Sequence, residues 1–182
     1  MQNRKNILIL KFSNISNQPR IYRQIEFLKD YYNIYTASFK GLNNPHIKKH
    51  FDIKIPFLPF GLIDKFLWNI SPASIFLSDF FKLNNIYFDL IIAHDPFTLH
   101  TARQLSKKKM NARVLHDAHE YTPRQYEDQR FHRLILMRIW DYICRKHMPQ
   151  ADSTITVCKG IADEYDRNYG VHCEVIDNAP FF

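Results

Sequence analysis

Apolar runs of strand length alternate with helical patterns along almost the whole chain. Residues 5–12 (KNILILKF) read as a first strand, because Lys11 cuts the apolar run short of the 7–15 residues that a secretory signal needs. Pro19 then opens a helix in which Ile21, Ile25 and Leu28 share one face at i, i+4 and i+7. Residues 33–39 predict a second strand and residues 52–57 (DIKIPF) a weaker third. The continuous apolar run FDLIIAHD at 88–95 is of the sort buried on both faces in parallel sheets. Asp95 predicts a helix cap, with Pro96 at the first helical position. Residues 113–120 hold a fifth strand that ends in a polar loop. A long helix follows over about 125–147, with Phe131, Ile135, Ile139 and Tyr142 on one face. Residues 153–158 form a sixth strand, 160–169 a helix with Ile161, Tyr165 and Tyr169 in register, and 173–178 the last strand.

This is repeated βα alternation without a hairpin signal. It predicts an α/β, Rossmann-like, doubly wound and mostly parallel sheet of about seven strands, with helices on both faces. A length of 182 residues favours one domain with a full core. The expected domain is 1–178. Residues 179–182, directly after the last strand, read as the start of an interdomain linker toward a second domain outside this chain.

Composition narrows the chemistry. Four glycines in 182 residues is about 2%, against an average near 7%, and no G-x-G-x-x-G occurs. That argues against a dinucleotide site built on a glycine-rich loop. A net charge of +7 favours anionic partners. No nucleic-acid motif accompanies it, so nucleic acid is not an expected partner. Cys144, Cys158 and Cys173 show neither ligand spacing nor a paired framework, which reads as a reduced, cytoplasmic protein. The stretch from Phe57 to Leu83 is rich in aromatics but is broken by Pro59, Asp64, Lys65, Pro72 and Asp79, so it does not span a bilayer. It reads as a buried helical hairpin or, through Phe60, Phe66, Trp68, Phe76, Phe80 and Phe81, as a membrane-surface or lipid-acceptor contact. The basic residues Arg103, Lys107, Lys108, Lys109 and Arg113, and Arg130, Arg133, Arg138, Arg145 and Lys146, read as solvated faces or as contacts for anionic headgroups.

In an open parallel sheet, ligands bind beyond the carboxyl ends of the strands. Five strand ends here supply polar groups: Asn17 and Arg20; His94 and Asp95; Asp117, His119 and Glu120; Lys159 and Gly160; and Asp177 and Asn178. The D-A-H-E stretch at 117–120 is the sharpest of them. A histidine between two carboxylates can act as a general base, as a hydrogen-bonding group for a substrate hydroxyl, or as a metal ligand. No second histidine stands at a ligand spacing within that segment, which disfavours metal. His116 reads as inward-packed.

Five segments in order carry a family resemblance: N-Q-P-R-I-Y-R-Q at 17–24, F-D-L-I-I-A-H-D at 88–95, V-L-H-D-A-H-E at 114–120, A-D-S-T-I-T-V-C-K-G-I-A-D at 151–163 and V-I-D-N-A-P at 175–180. Together they resemble the N-terminal, acceptor-binding half of a GT-B glycosyltransferase of the group 1, family 4-like set. The resemblance implies metal-independent transfer of a sugar, with retention, and no cofactor beyond the nucleotide-sugar donor. That donor would be held by the missing C-terminal domain and the acceptor, a glycan or a lipid-linked one, by this domain. It implies His119 as the catalytic residue. It also implies Asn17, Arg20, His94, Asp95, Glu120, Lys159, Gly160 and Asn178 around the substrates. The expected setting is bacterial polysaccharide or lipid-linked glycan assembly, in the cytoplasm and peripheral on the inner face of the membrane. The alternative is a non-catalytic subunit that anchors a partner or acceptor there. The family's paired-glutamate donor motif is absent, and the first loop, Ser13 to Gln18, has no glycine. The chain alone is therefore expected not to transfer sugar.

Overall fold

The computed structural model describes residues 4–53, 86–109, 112–125 and 137–178. Seven strands pair in parallel throughout, in the order β3-β2-β1-β4-β5-β6-β7. They are β1 (Asn6–Leu10), β2 (Asn33–Ser38), β3 (Ile47–Asp52), β4 (Leu90–His94), β5 (Arg113–Ala118), β6 (Ser153–Thr156) and β7 (Glu174–Val175). The helices are α1 (Pro19–Leu28), α2 (Pro96–Lys109), α3 (Met137–His147) and α4 (Lys159–Tyr169). The expected α/β, doubly wound sheet is the observed one.

Strand alternation divides the core in two. Ile7 and Ile9 of β1, Ile34 of β2 and Ile92 of β4 pack with Ile21 and Ile25 of α1 on one face. Leu8, Leu10, Ile91, Ala93 and Val114 face the other way, toward Leu99 and Ala102 of α2, Cys144 of α3 and Tyr165 of α4. α1 begins at the proline that predicted it. α4 ends at Gly170, whose φ of 63° is the left-handed conformation that glycine adopts most cheaply.

Three expectations shift. The third strand lies at Ile47–Asp52, ahead of the predicted 52–57, of which residues 54–57 lie outside the described residues. It is an edge strand with Lys48 and Lys49 exposed, and such charge on an edge blunts unwanted pairing. On α3 the buried face is Trp140, Ile143, Cys144 and His147, while Tyr142 is 44% exposed. Phe131 and Ile135 lie outside the described residues, as do Arg130, Arg133 and the aromatic stretch from Phe57 to Leu83. Asp95 precedes α2 as expected, but its carboxylate holds Lys11 across the sheet end at 3.0 Å. No described helix is long and apolar enough to cross a membrane.

Candidate active site

The chain runs outward from β1 to β3 and returns at β4, so the sheet order reverses between β1 and β4. Loops after these two strands diverge, which opens a crevice at their carboxyl ends. A cavity of about 400 Å³ lies there, lined by Lys11, Ser13, Asp95, His119, Glu120 and Trp140 among others. The Lys11–Asp95 ion pair ties the two loops together. Asp95 holds a φ of 68° to do so, an outlying conformation for a residue other than glycine. Burial raises its carboxyl pKa, and the nearby Lys11 and His119 outweigh that and lower it.

Behind the cavity stands a connected set of polar side chains. Register places His94 of β4 beside Asp117 of β5, so both side chains leave the same face of the sheet, where α1 packs. Arg20 of α1 grips Asp117 through Nε, at 3.0 and 2.8 Å, and Nη2, at 2.7 Å. One turn later Gln24 donates to Asp117 Oδ2 at 2.6 Å. The Gln24 Oε1 accepts from His94 Nε2 at 3.0 Å, and His94 Nδ1 lies 2.7 Å from His119 Nε2. The Asp117 side chain is fully buried, and Arg20 is 9% exposed. Burial would raise the Asp117 pKa, but the adjacent His119 ring and the Arg20 guanidinium hold it well below the usual carboxylate range. Burial pushes His94 down to about 3 despite the neighbouring Asp117, so its ring is neutral at pH 7.

His94, Asp117 and His119 offer three ligand atoms within 4.8 Å of one another. Those atoms are already engaged: the two rings share a hydrogen bond, and Oδ2 of Asp117 accepts from Arg20 and Gln24. A bidentate guanidinium on the one carboxylate also supplies the positive charge that a cation would bring. The set suits a hydrogen-bonded support for His119 better than a metal centre.

The structure thus brings His94, Asp95, His119 and Glu120 together around one cavity and its rear wall, with Arg20 bound behind them to Asp117. Asn178 lies elsewhere. It accepts from Arg23 at the mouth of a second, largely apolar cavity of about 530 Å³ between α1 and the face of β4, β5 and β6. Asn17, Lys159 and Gly160 are exposed and line neither cavity, and Lys159 pairs with Asp163 one turn along α4. Sequence reasoning missed Gln24 and Lys11. A signal for Gln24 was present, because Arg20 and Gln24 stand four apart on α1 and form a polar stripe beside its buried Ile21 and Ile25.

Residues 32–179, well over half of the chain, match the family model of Glycosyltransferase Family 4. Among solved structures, a UDP-N-acetylglucosamine 2-epimerase superposes with a TM-score of 0.52 at 8% identity, covering 91% of this chain and 45% of its own. A Listeria monocytogenes protein named as an enzyme of the same kind gives 0.48 at 11% identity, over 90% of this chain and 41% of its own. The chain therefore spans less than half the length of either structure. No curated protein matches the sequence.

Proposed function

The chain belongs to Glycosyltransferase Family 4, and from that premise we propose that it is the acceptor-holding half of a two-domain sugar transferase. The observation that carries this reading is His119, which lines the crevice at the switch point with a buried hydrogen-bonded support behind it. Around it the cavity offers hydroxyl partners of both kinds: acceptors on Asp95 and Glu120, donors on Lys11 and Gln125. Phe12, Phe97 and Trp140 add apolar surface of the sort that covers the face of a sugar ring. In this reading His119 hydrogen-bonds or deprotonates the acceptor hydroxyl. The donor's diphosphate is held by a second domain outside these residues, and no metal or further cofactor is used. The resemblance to an epimerase structure supports the same fold at this sequence identity and nothing about substrate.

The test is a transfer and hydrolysis assay with nucleotide-sugars, on this chain alone and on a form extended by the residues that follow it. The extended form is expected to turn over and residues 1–182 alone are not. In the extended form, His119→Ala should cost roughly 100-fold or more in turnover, the scale of a lost acid–base group, with an unchanged circular dichroism spectrum. Full activity of His119→Ala would remove that residue from the mechanism.

A membrane-bound, lipid-linked acceptor would suit the net charge of +7 and the aromatic run from Phe57 to Leu83. Binding to anionic vesicles should then weaken as added salt shortens the screening length below about 8 Å. Binding to neutral vesicles alone would refute it.

A further inference from the structure

The hydrogen-bond chain behind His119 has a direction, and the direction starts on α1. Asp117, as a carboxylate, can only accept, and it accepts from Arg20 and from the Gln24 amide nitrogen. That fixes which way the amide faces: its oxygen is the atom turned to His94. An amide oxygen also only accepts, so the proton shared at 3.0 Å belongs to His94 Nε2. His94 is neutral and carries one ring proton, which leaves Nδ1 a bare acceptor. The hydrogen in the 2.7 Å contact between the two rings must then come from His119 Nε2.

We propose that Gln24 is a positioning residue that locks His119 in its Nε2–H form, so that Nδ1 is the nitrogen that meets a ligand hydroxyl in the crevice. No described hydrogen bond uses Nδ1, and His119 keeps 18% of its side chain exposed on the cavity wall. Nε2–H is held both in the neutral ring and in the imidazolium, so the proton that comes and goes sits on Nδ1. When a hydroxyl gives up its proton, the O–H bond breaks and an Nδ1–H bond forms. The positive ring then lies with Nε2 3.5 Å from the Asp117 carboxylate. The other charged groups facing this ring are Lys11 after β1, Asp95 after β4 and Glu120 beside it, with Arg20 of α1 behind Asp117. An unoriented imidazole would present either nitrogen to the substrate, and the wrong tautomer costs catalysis even where geometry is kept.

Its catalytic meaning rests on the transferase reading, but the tautomer itself does not. The test is nitrogen NMR of the chain labelled with ¹⁵N-histidine, followed across pH. In the unmodified chain, His119 Nε2 should keep the shift of a protonated nitrogen at every pH while Nδ1 alone moves. Gln24→Lys replaces the acceptor facing His94 with a donor and keeps an ion pair to Asp117. It should reverse the chain and move the His119 proton to Nδ1. In Gln24→Met, which removes both hydrogen bonds at similar volume, the Nε2–H fraction should fall below that of the unmodified chain. An Nδ1–H form in the unmodified chain would overturn the proposal whether or not a variant folds. So would unchanged His119 shifts in both folded variants. A locked Nε2–H form together with no sugar transfer by the extended form keeps the inference and drops the transferase reading; transfer by an extended form whose His119 is Nδ1–H does the reverse.

Discussion

His116 and Asp117 are neighbours on β5, equally buried, and they meet opposite fates. Asp117 faces α1 and is met by a guanidinium, an amide and an imidazole. His116 faces the α2–α4 side, where Val114 and Ala118 belong to the apolar cluster, and neither of its ring nitrogens has a hydrogen-bond partner among the described residues. Burial drives its pKa down to about 4, so the ring is kept neutral there. Burying a polar group is costly in both cases, and among the described residues only the α1 face offsets the cost. The teaching is that burial does not by itself mark function here. What distinguishes the α1 face is that partners from α1, β4 and β5 converge on one charge and lead to an exposed histidine.

The largest expected effect breaks that convergence. Arg20→Met leaves the Asp117 carboxylate buried without its strongest partner. Breaking a buried pair from one side costs about 3–5 kcal/mol, which urea unfolding would read directly. A loss below about 1 kcal/mol would mean that water already reaches Asp117 and that the two faces do not differ.

The second effect sharpens the contrast through acid. His94 and His116 both have folded pKa values depressed below their ordinary value of 6.5, to about 3 and about 4. The unfolded chain therefore binds the extra protons. Stability from these groups is complete above pH 6.5 and is lost as pH falls below it toward the folded values. Between pH 6.5 and 5, each should withdraw about 2 kcal/mol. His100, lowered by burial and by Lys146 and Lys107, adds slope in the same direction. His116→Met should flatten the slope by one group's share. At pH 7 it should be neutral or stabilising by about 1 kcal/mol, since it deletes a buried polar group with no hydrogen-bond partner among the described residues. A His116→Met protein clearly less stable at pH 7 would mean that this ring has a partner after all.

Much of this architecture was legible in the chain. Period-2 and period-3.6 apolar patterns gave the β and α order, and Pro19 and Pro96 marked two helix starts to the residue. β3 was misplaced because apolar character was the guide, and an edge strand such as Ile47–Asp52 is built with lysines. The site was half legible. His94, Asp95 and His119 stood out as polar groups at strand ends, a position fixed by sequence. Gln24 did not, since its role depends on which way α1 turns its polar stripe over the sheet. Nor does a sequence give register, and it is register that sets His94 beside Asp117 and makes a chain of them.

The smallest effect concerns the strain at the mouth of the crevice, and a pair of substitutions isolates it. Asp95 sits at φ 68° with its carboxylate on Lys11, itself only 7% exposed. Asp95→Ala and Asp95→Gly both orphan that lysine, so the loss they share reports the ion pair. Their difference reports the backbone. Alanine in the left-handed region is disfavoured by about 1–2 kcal/mol, whereas glycine enters it freely. Glycine gives back about 0.4–1 kcal/mol of that through the greater freedom of its unfolded chain. Asp95→Gly should therefore be the more stable of the two by about 0.5–1 kcal/mol in urea unfolding. Equal stabilities would mean that the left-handed backbone costs alanine only about 0.4–1 kcal/mol, the amount that glycine gives back through its unfolded chain. Alanine proving the more stable by about 0.4–1 kcal/mol would mean that this loop relaxes out of the left-handed conformation once the Lys11 tie is cut, making the ion pair the cause of the strain.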